Sequence, residues 1–245
     1  MQSTTLSLYH FGALSARLWA FAQMGLARAQ IARTKGIGTW KLCGSGTGEG
    51  FTPVPNTAVY AILATWPDHD TARRALFGAP VFRRYRDHSD EMMTMFLTPT
   101  SARGRWAGKA PFEPQDAPGG PIAALTRATI KPRIAARFWG RVPGISKVIG
   151  KDPNVMFKIG IGEVPWLHQV TFSIWPDAES MAAFARHDGP HAKAIRAVRT
   201  ERWFREELYA RFRLDAVEGR WNGATPDFGP LQADLTADNM KVAAE

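Results

Sequence analysis

Apolar and polar residues alternate with period two in several short runs along this chain. Val59, Ala61 and Leu63 form one such run and end at Trp66-Pro67-Asp68; Val170, Phe172 and Ile174 form another and end at Trp175-Pro176-Asp177. Each reads as a strand that a proline stops. In chain order, Thr4 to Phe11 alternates as a strand, and Leu14, Leu18, Ala22, Leu26 and Ala29 recur at helical spacing. That spacing predicts a helix facing the core, ended by Gly36 and Gly38. A strand over Thr39 to Cys43 follows, then the one that ends at Trp66. Asp68 is placed to cap a helix carrying Ala72, Ala75 and Leu76 inward, Pro80 to open a short helix, and residues 92 to 97 to form a strand.

Thr98 to Pro121 holds five prolines and four glycines, which neither a helix nor a central strand continues. The order then begins again. Ile122 to Ile130 is a strand, Pro132 opens a helix carrying Ile134, Phe138, Trp139 and Val142, and Pro143-Gly144 breaks it. Strands over 155 to 159 and 169 to 175 follow. Asp177 caps a helix with Met181, Phe184 and Ala185 inward, Gly189-Pro190 interrupts it, and residues 207 to 214 alternate as a last strand. Trp40-Lys41-Leu42 aligns with Phe157-Lys158-Ile159, and Gly46-Thr47-Gly48-Glu49 with Gly160-Ile161-Gly162-Glu163.

This is the pattern of an internal duplication in which each half is a β-α-β-β-α-β, ferredoxin-like unit. The expected fold is α+β: units at 1–100 and 122–216, a Pro/Gly connector at 101–121 and a polar, loosely held tail at 217–245. The two sheets are expected to face each other around an apolar space, as an intramolecular dimeric α+β barrel.

The chain has 245 residues, 45% of them hydrophobic, enough for a sizeable core. Its single cysteine excludes an internal disulfide framework and multi-thiolate zinc sites. No secretory signal and no uninterrupted apolar run of ~18 residues is visible, so a cytoplasmic protein is expected. The net charge of +9 favours an anionic partner, yet the basic residues are scattered and form no nucleic-acid motif. Arg17 to Arg28, with Trp19 and Phe21 between basic flanks, also suits peripheral contact with a membrane surface.

Candidate chemistry is sparse. The glycine loop Gly44 to Gly50 lacks the Gly-Lys-Ser/Thr ending of a phosphate loop and reads instead as a hairpin at a cavity mouth. No Gly-x-Ser-x-Gly elbow and no His-Glu-x-x-His motif is present. Among the six histidines, His191 would stand in the first turn of a helix, where the dipole keeps an imidazole neutral and able to ligate a metal. His168 lies before a core strand, His187 is four residues from His191 across Gly189-Pro190, and Cys43 offers a thiolate instead.

The runs WKLCGSGTGEGFTPVPNTAVYAILATWPD, from Trp40, and DPNVMFKIGIGEVPWLHQVTFSIWPD, from Asp152, resemble the spheroidene monooxygenase family, carotenoid 2-ketolases of purple photosynthetic bacteria. The resemblance runs from the first strand to Phe212. It implies a haem-containing oxygenase that uses dioxygen and reduced ferredoxin to convert spheroidene to spheroidenone through a 2-hydroxy intermediate, near the photosynthetic membrane. By looser analogy with chlorite dismutases and dye-decolourising peroxidases, whose haem histidine comes from a barrel helix, His191 is the expected axial ligand, then His168 or His187, with Cys43 as the thiolate alternative. Arg196, Arg199 and Lys158 are the expected partners of the haem propionates. Trp66, Trp139, Phe172, Trp175, Phe184 and Trp203 are expected to line an apolar slot. A cofactor-free oxygenase and a carotenoid carrier are the other classes that this fold would suit.

Overall fold

The computed structural model describes residues 1–140, 152–186, 203–229 and 231. Eight strands close a barrel: β1 (Ser3–His10), β2 (Trp40–Gly46), β3 (Pro55–Trp66), β4 (Glu91–Gly104), β5 (Ile122–Ile130), β6 (Phe157–Gly162), β7 (His168–Trp175) and β8 (Phe204–Gly219), in the spatial order β1-β3-β2-β6-β7-β5-β8-β4. Every pairing is antiparallel. Each half contributes four neighbouring strands in the same relative order, as the duplication requires. Like edges meet, β2 on β6 and β4 on β8, which is what a two-fold rotation perpendicular to the barrel axis generates.

Helices cover the first half from outside: α1 (Leu14–Leu26), α2 (Arg28–Ala32), α3 (His69–Gly78) and α4 (Pro80–His88). Asp68 caps α3 by accepting from the Thr71 N–H at 2.7 Å, and Pro80 opens α4. Tyr9, Phe11, Tyr60, Trp66, Phe82 and Tyr85 form the layer between these helices and the sheet. In the second half a 3-10 turn at Pro132–Ile134 leads into a helical stretch at 135–140, and α5 (Ala178–Arg186) is capped by Asp177, which accepts from the Ser180 N–H at 2.7 Å.

Two expectations need correction. The space between the sheets is filled: Leu6, Leu8, Leu63, Met95, Phe172, Phe212 and their neighbours pack the barrel interior. An eight-stranded barrel is just wide enough for its own side chains. The stretch expected as connector is partly strand, since β4 runs on to Gly104 and crosses Pro99 at an irregularity in its pairing with β8.

The glycine loop closes the barrel. The β2–β6 seam has only the pairs Gly44↔Gly162 and Ser45↔Ile161, against a long β4–β8 seam. Beside it the Gly160 N–H donates to the Glu49 carbonyl at 2.7 Å and Ser45 Oγ to the Gly160 carbonyl at 2.8 Å. Gly50 and Gly160 lie backbone against backbone, so a Cβ on either would collide with the other's carbonyl.

Candidate functional site

The strand register decides which side chains enter the barrel. Trp66 and Trp175 occupy equivalent places, opposite Ser3 and Ile122. Lys41 pairs with Leu63 and Ile159 with Phe172, so Lys41 corresponds to Ile159, not to Lys158. The sequence alignment is thus one residue out in this strand, and one residue turns a side chain to the other face. Lys41 points inward; Lys158 points outward and pairs with the Glu49 carboxylate.

The same register relates the two mouths of the barrel. Each is closed by a tight turn with the sequence Gly-Arg-Trp-x-Gly, at 104–108 and 219–223. Ala107, Gly108, Asn222 and Gly223 all have positive φ, the requirement of a type I′ turn. Glu206 accepts from the N–H groups of Ala107 and Gly108, and Glu91 from those of Asn222 and Gly223. This second repeat falls in the stretches expected to be connector and tail, where no periodic pattern points to it. Phe228, beyond it, is packed into the barrel interior.

The mouths have diverged chemically. At one, Lys41, Arg127 and His168 stand where the other has Ile159, Leu8 and Val59. Glu163 closes the charged mouth from the end of β6. One of its carboxylate oxygens accepts from Trp106 Nε1 at 2.6 Å, and the other lies 3.3 Å from Lys41 Nζ. Arg127, almost fully buried, donates to Glu206, and both cationic groups lie over the Trp106 ring, 5.3 and 5.6 Å from its centre. Partial burial pushes the Glu206 carboxyl upward, but the N–H groups of Gly108 and Ala107, with Arg127, hold it below its ordinary value overall. A mouth that needed only plugging would have kept apolar side chains, because desolvated charge costs more than it returns.

Glu163 and His168 connect this network to a cavity of about 320 Å³ outside the β2–β6 seam. Phe21 and Met24 of α1, Tyr60, Trp139, Val164, Pro165 and Trp166 line its apolar part, and Gly44, Gly46 and Gly50 form its floor with Ile161 and Gly162. His168 Nδ1 is buried without a hydrogen-bond partner, 3.6 Å from Glu163 Oε2. Burial lowers the His168 pKa, Glu163 opposes the shift, and Arg127 and Lys41 reinforce it, so the ring is held neutral.

Of the expected site residues, His168 is therefore in the site. Cys43 is inside the packed barrel, where burial pushes its thiol far up, with Glu163 adding to the effect; a thiol so placed stays protonated. Lys158 lines a second cavity of about 480 Å³ at the other mouth, with Glu49, His10, Phe157 and Trp221. His187, His191, Arg196 and Arg199 lie outside the described residues. Of the six rings expected to line a slot, Trp139 reaches the first cavity, Trp66 and Phe172 are core, Trp175 packs on Phe184, and Trp203 is buried away from that cavity's lining. Among the described residues no group of three or more His, Cys, Asp and Glu could hold a metal ion.

Over 230 residues the chain is 52% identical to the spheroidene monooxygenase of Rhodobacter capsulatus, covering 92% of this chain and 95% of that protein. The chain belongs to the spheroidene monooxygenase family. Its identity to the Cereibacter sphaeroides spheroidene monooxygenase is also 52%, over 92% of this chain and 71% of that protein, and to the Rubrivivax gelatinosus one 32%, over 85% and 81%. The two runs singled out in the sequence thus belong to a likeness that spans nearly the whole chain. No protein-family model matches. Among solved structures, an aldoxime dehydratase in complex with butyraldoxime superposes with a TM-score of 0.60 at 10% identity, over 87% of this chain and 79% of that one. A second aldoxime dehydratase gives 0.57 at 11% identity, over 87% and 81%. At such identity these structures speak for the fold alone, a duplicated α+β barrel that this member of the spheroidene monooxygenase family shares.

Proposed function

We propose that this chain is a carotenoid monooxygenase that oxygenates spheroidene, or an acyclic carotenoid like it, at carbon 2. Membership of the spheroidene monooxygenase family is the observation that carries the reading. Carbon 2 adjoins the conjugated polyene, so its C–H bonds are allylic and weak; two hydroxylations there give a geminal diol, which loses water to become the 2-keto product, spheroidenone. Each hydroxylation consumes one dioxygen, two electrons and two protons and releases one water. Reduced ferredoxin is the proposed electron donor.

Haem is the proposed cofactor, and when bound it supplies the activation of dioxygen. Its expected axial ligand, His191, and the expected propionate partners Arg196 and Arg199 lie outside the described residues. Within them, His168 fits a ligand by its chemistry, being a neutral imidazole with an unpartnered buried nitrogen. Cys43 does not fit, because a thiol buried in the barrel core offers no thiolate. Lys158 is already engaged by Glu49.

The cavity's own residues have clear tasks. Phe21, Met24, Tyr60, Trp139 and Trp166 offer the apolar walls that a polyene end needs. Glu163 faces the cavity while Lys41 and Trp106 hold its carboxylate from behind. In this reading it takes the proton from one hydroxyl of the diol and returns it to the other as that leaves as water, with His168 beside it.

Absorption spectra of the purified protein, oxidised and then reduced under carbon monoxide, test the cofactor. A Soret band that shifts on reduction, and that persists in Cys43→Ala but is lost in His191→Ala, supports the reading with His191 as ligand; loss in His168→Ala alone moves the ligand to His168. Conversion of spheroidene to its 2-keto product by a preparation without haem would remove haem from the mechanism. Failure to oxygenate spheroidene with haem, dioxygen and reduced ferredoxin all supplied would overturn the function.

A further inference from the structure

We infer that α1 and the rim of the first cavity form a docking surface for a lipid bilayer with anionic headgroups, from which the cavity is filled. The spacing of Leu14, Leu18, Ala22, Leu26 and Ala29 predicts a face turned to the core, but the helix is packed the other way round. It buries Ala20 and Gln23, with Ala27 and Ile31 continuing that face into α2, and Trp19 stacks on His88 at 4.0 Å. Leu14, Leu18, Phe21 and Leu26 are each more than 60% exposed. A stripe of large apolar side chains facing outward costs solubility and gains nothing in the fold, so its cause lies in what it meets.

The stripe continues around the cavity. Phe21 belongs to both, and exposed Val164 and Trp166 stand on the rim, with exposed Val54 between the rim residues Pro53 and Pro55. Trp166 is held in the left-handed region at φ 65°, a costly conformation for a bulky residue. Its indole N–H donates to the Pro53 carbonyl at 2.8 Å and its own carbonyl accepts from Trp139 Nε1 at 3.0 Å. Those bonds fix a large ring outward at the opening, the place where Trp settles at a membrane interface.

Charge selects the occupant. No Asp or Glu occurs before Glu49, whereas Arg17, Arg28, Arg33, Lys35 and Lys41 do. Arg28, Arg33 and Lys35 are exposed just beyond the end of the apolar stripe. An apolar face with basic residues at its border matches the acyl and headgroup levels of an anionic leaflet. No helix among the described residues is long and apolar enough to cross the bilayer, so the contact is with its surface. That the molecule taken up is a carotenoid rests on the function proposed above; the docking does not.

Sedimentation with vesicles tests it, using phosphatidylglycerol mixed with phosphatidylcholine and phosphatidylcholine alone. The full chain is expected to sediment with the mixed vesicles and far less with the neutral ones. Leu14→Glu with Leu18→Glu alters two exposed positions that do not line the cavity, and should reduce partitioning about a hundredfold, as roughly tenfold per leucine-sized side chain predicts. Arg28→Gln, Arg33→Gln and Lys35→Gln together should abolish the preference for anionic vesicles. Circular dichroism matching that of the unmodified chain shows that the variants are folded. The inference is overturned if the unmodified chain stays in solution with anionic vesicles at low salt, or if the glutamate variant binds like it. A dimer in light scattering that the glutamate pair splits, without vesicle binding, assigns the face to a second copy instead and overturns it equally. Vesicle binding by a protein that leaves spheroidene unaltered would uphold the docking and overturn the function.

Discussion

Glu163 is the residue on which both the barrel mouth and the cavity converge. It receives the Trp106 indole N–H, faces Lys41 and opens to the cavity. Glu163→Gln keeps an acceptor for Trp106 but removes the charge that Lys41 faces, so it should cost about 1–3 kcal/mol in chemical denaturation. Adding Lys41→Met should recover much of that stability and none of the activity, which is expected to fall at least about tenfold with Glu163→Gln alone if the carboxylate handles a proton. Equal recovery of both would reduce Glu163 to a structural role. His168 makes a separate, pH-dependent prediction. Its folded pKa is below the ordinary 6.5, so the unfolded chain takes up the proton first as pH falls. Stability is then fully present above 6.5 and declines as pH drops from there toward the lowered folded value. Half-buried His69, whose pKa burial also lowers, acts in the same direction. Thermal melts of His168→Gln should show a shallower loss of melting temperature below that pH than the unmodified protein; an unchanged slope would assign the effect elsewhere.

At the scale of elements, a seam of two residue pairs between β2 and β6 closes the barrel on the side where the cavity lies. Glycine makes it possible, since the backbones of Gly50 and Gly160 pack directly on each other and Gly50 has φ 89°. Gly50→Ala should therefore cost about 2–4 kcal/mol, from strain and from the lost close approach. Gly44→Ala, in the same glycine-rich run but on β2 with open space around its Cβ position, should change stability by less than about 1 kcal/mol. Matched denaturation curves decide; similar losses at both positions would refute the close-approach account. The glycine-rich run was visible in the sequence, but its purpose was not, because the partner backbone is more than a hundred residues away.

The molecule as a whole is a duplication whose halves need each other. Leu6, Leu8 and Met95 of the first half pack inside the barrel with Phe172, Phe212 and Leu208 of the second. Expressed separately, residues 1–121 and 122–231 each expose that face and the unpaired edges of two strands, and are expected to be insoluble. Co-expression should recover a soluble complex; a soluble, cooperatively melting single half would show that the units are independent domains. The duplication also sets the two mouths side by side for comparison: one presents Lys41, Arg127 and His168 where the other presents Ile159, Leu8 and Val59.

The alternation of Val59 to Leu63 and Val170 to Ile174, the Trp-Pro-Asp stops and the capping aspartates specify strands, helices and their repetition locally, so the sequence alone determined the duplicated α+β plan. The length of its family-like runs likewise placed the chain among the spheroidene monooxygenases. The facing of side chains is not local. A strand's two faces are assigned only when its pairing is known, so one residue of register separated the outward Lys158 from the inward Lys41. A helix with apolar residues on two sides does not announce which side will turn Trp19 onto Phe11 and Tyr85. Only the closed barrel decided that Lys41 would enter the mouth, that Cys43 would be sealed in the core, and that the leucines of α1 would face outward, because each outcome depends on contacts between segments far apart in the chain.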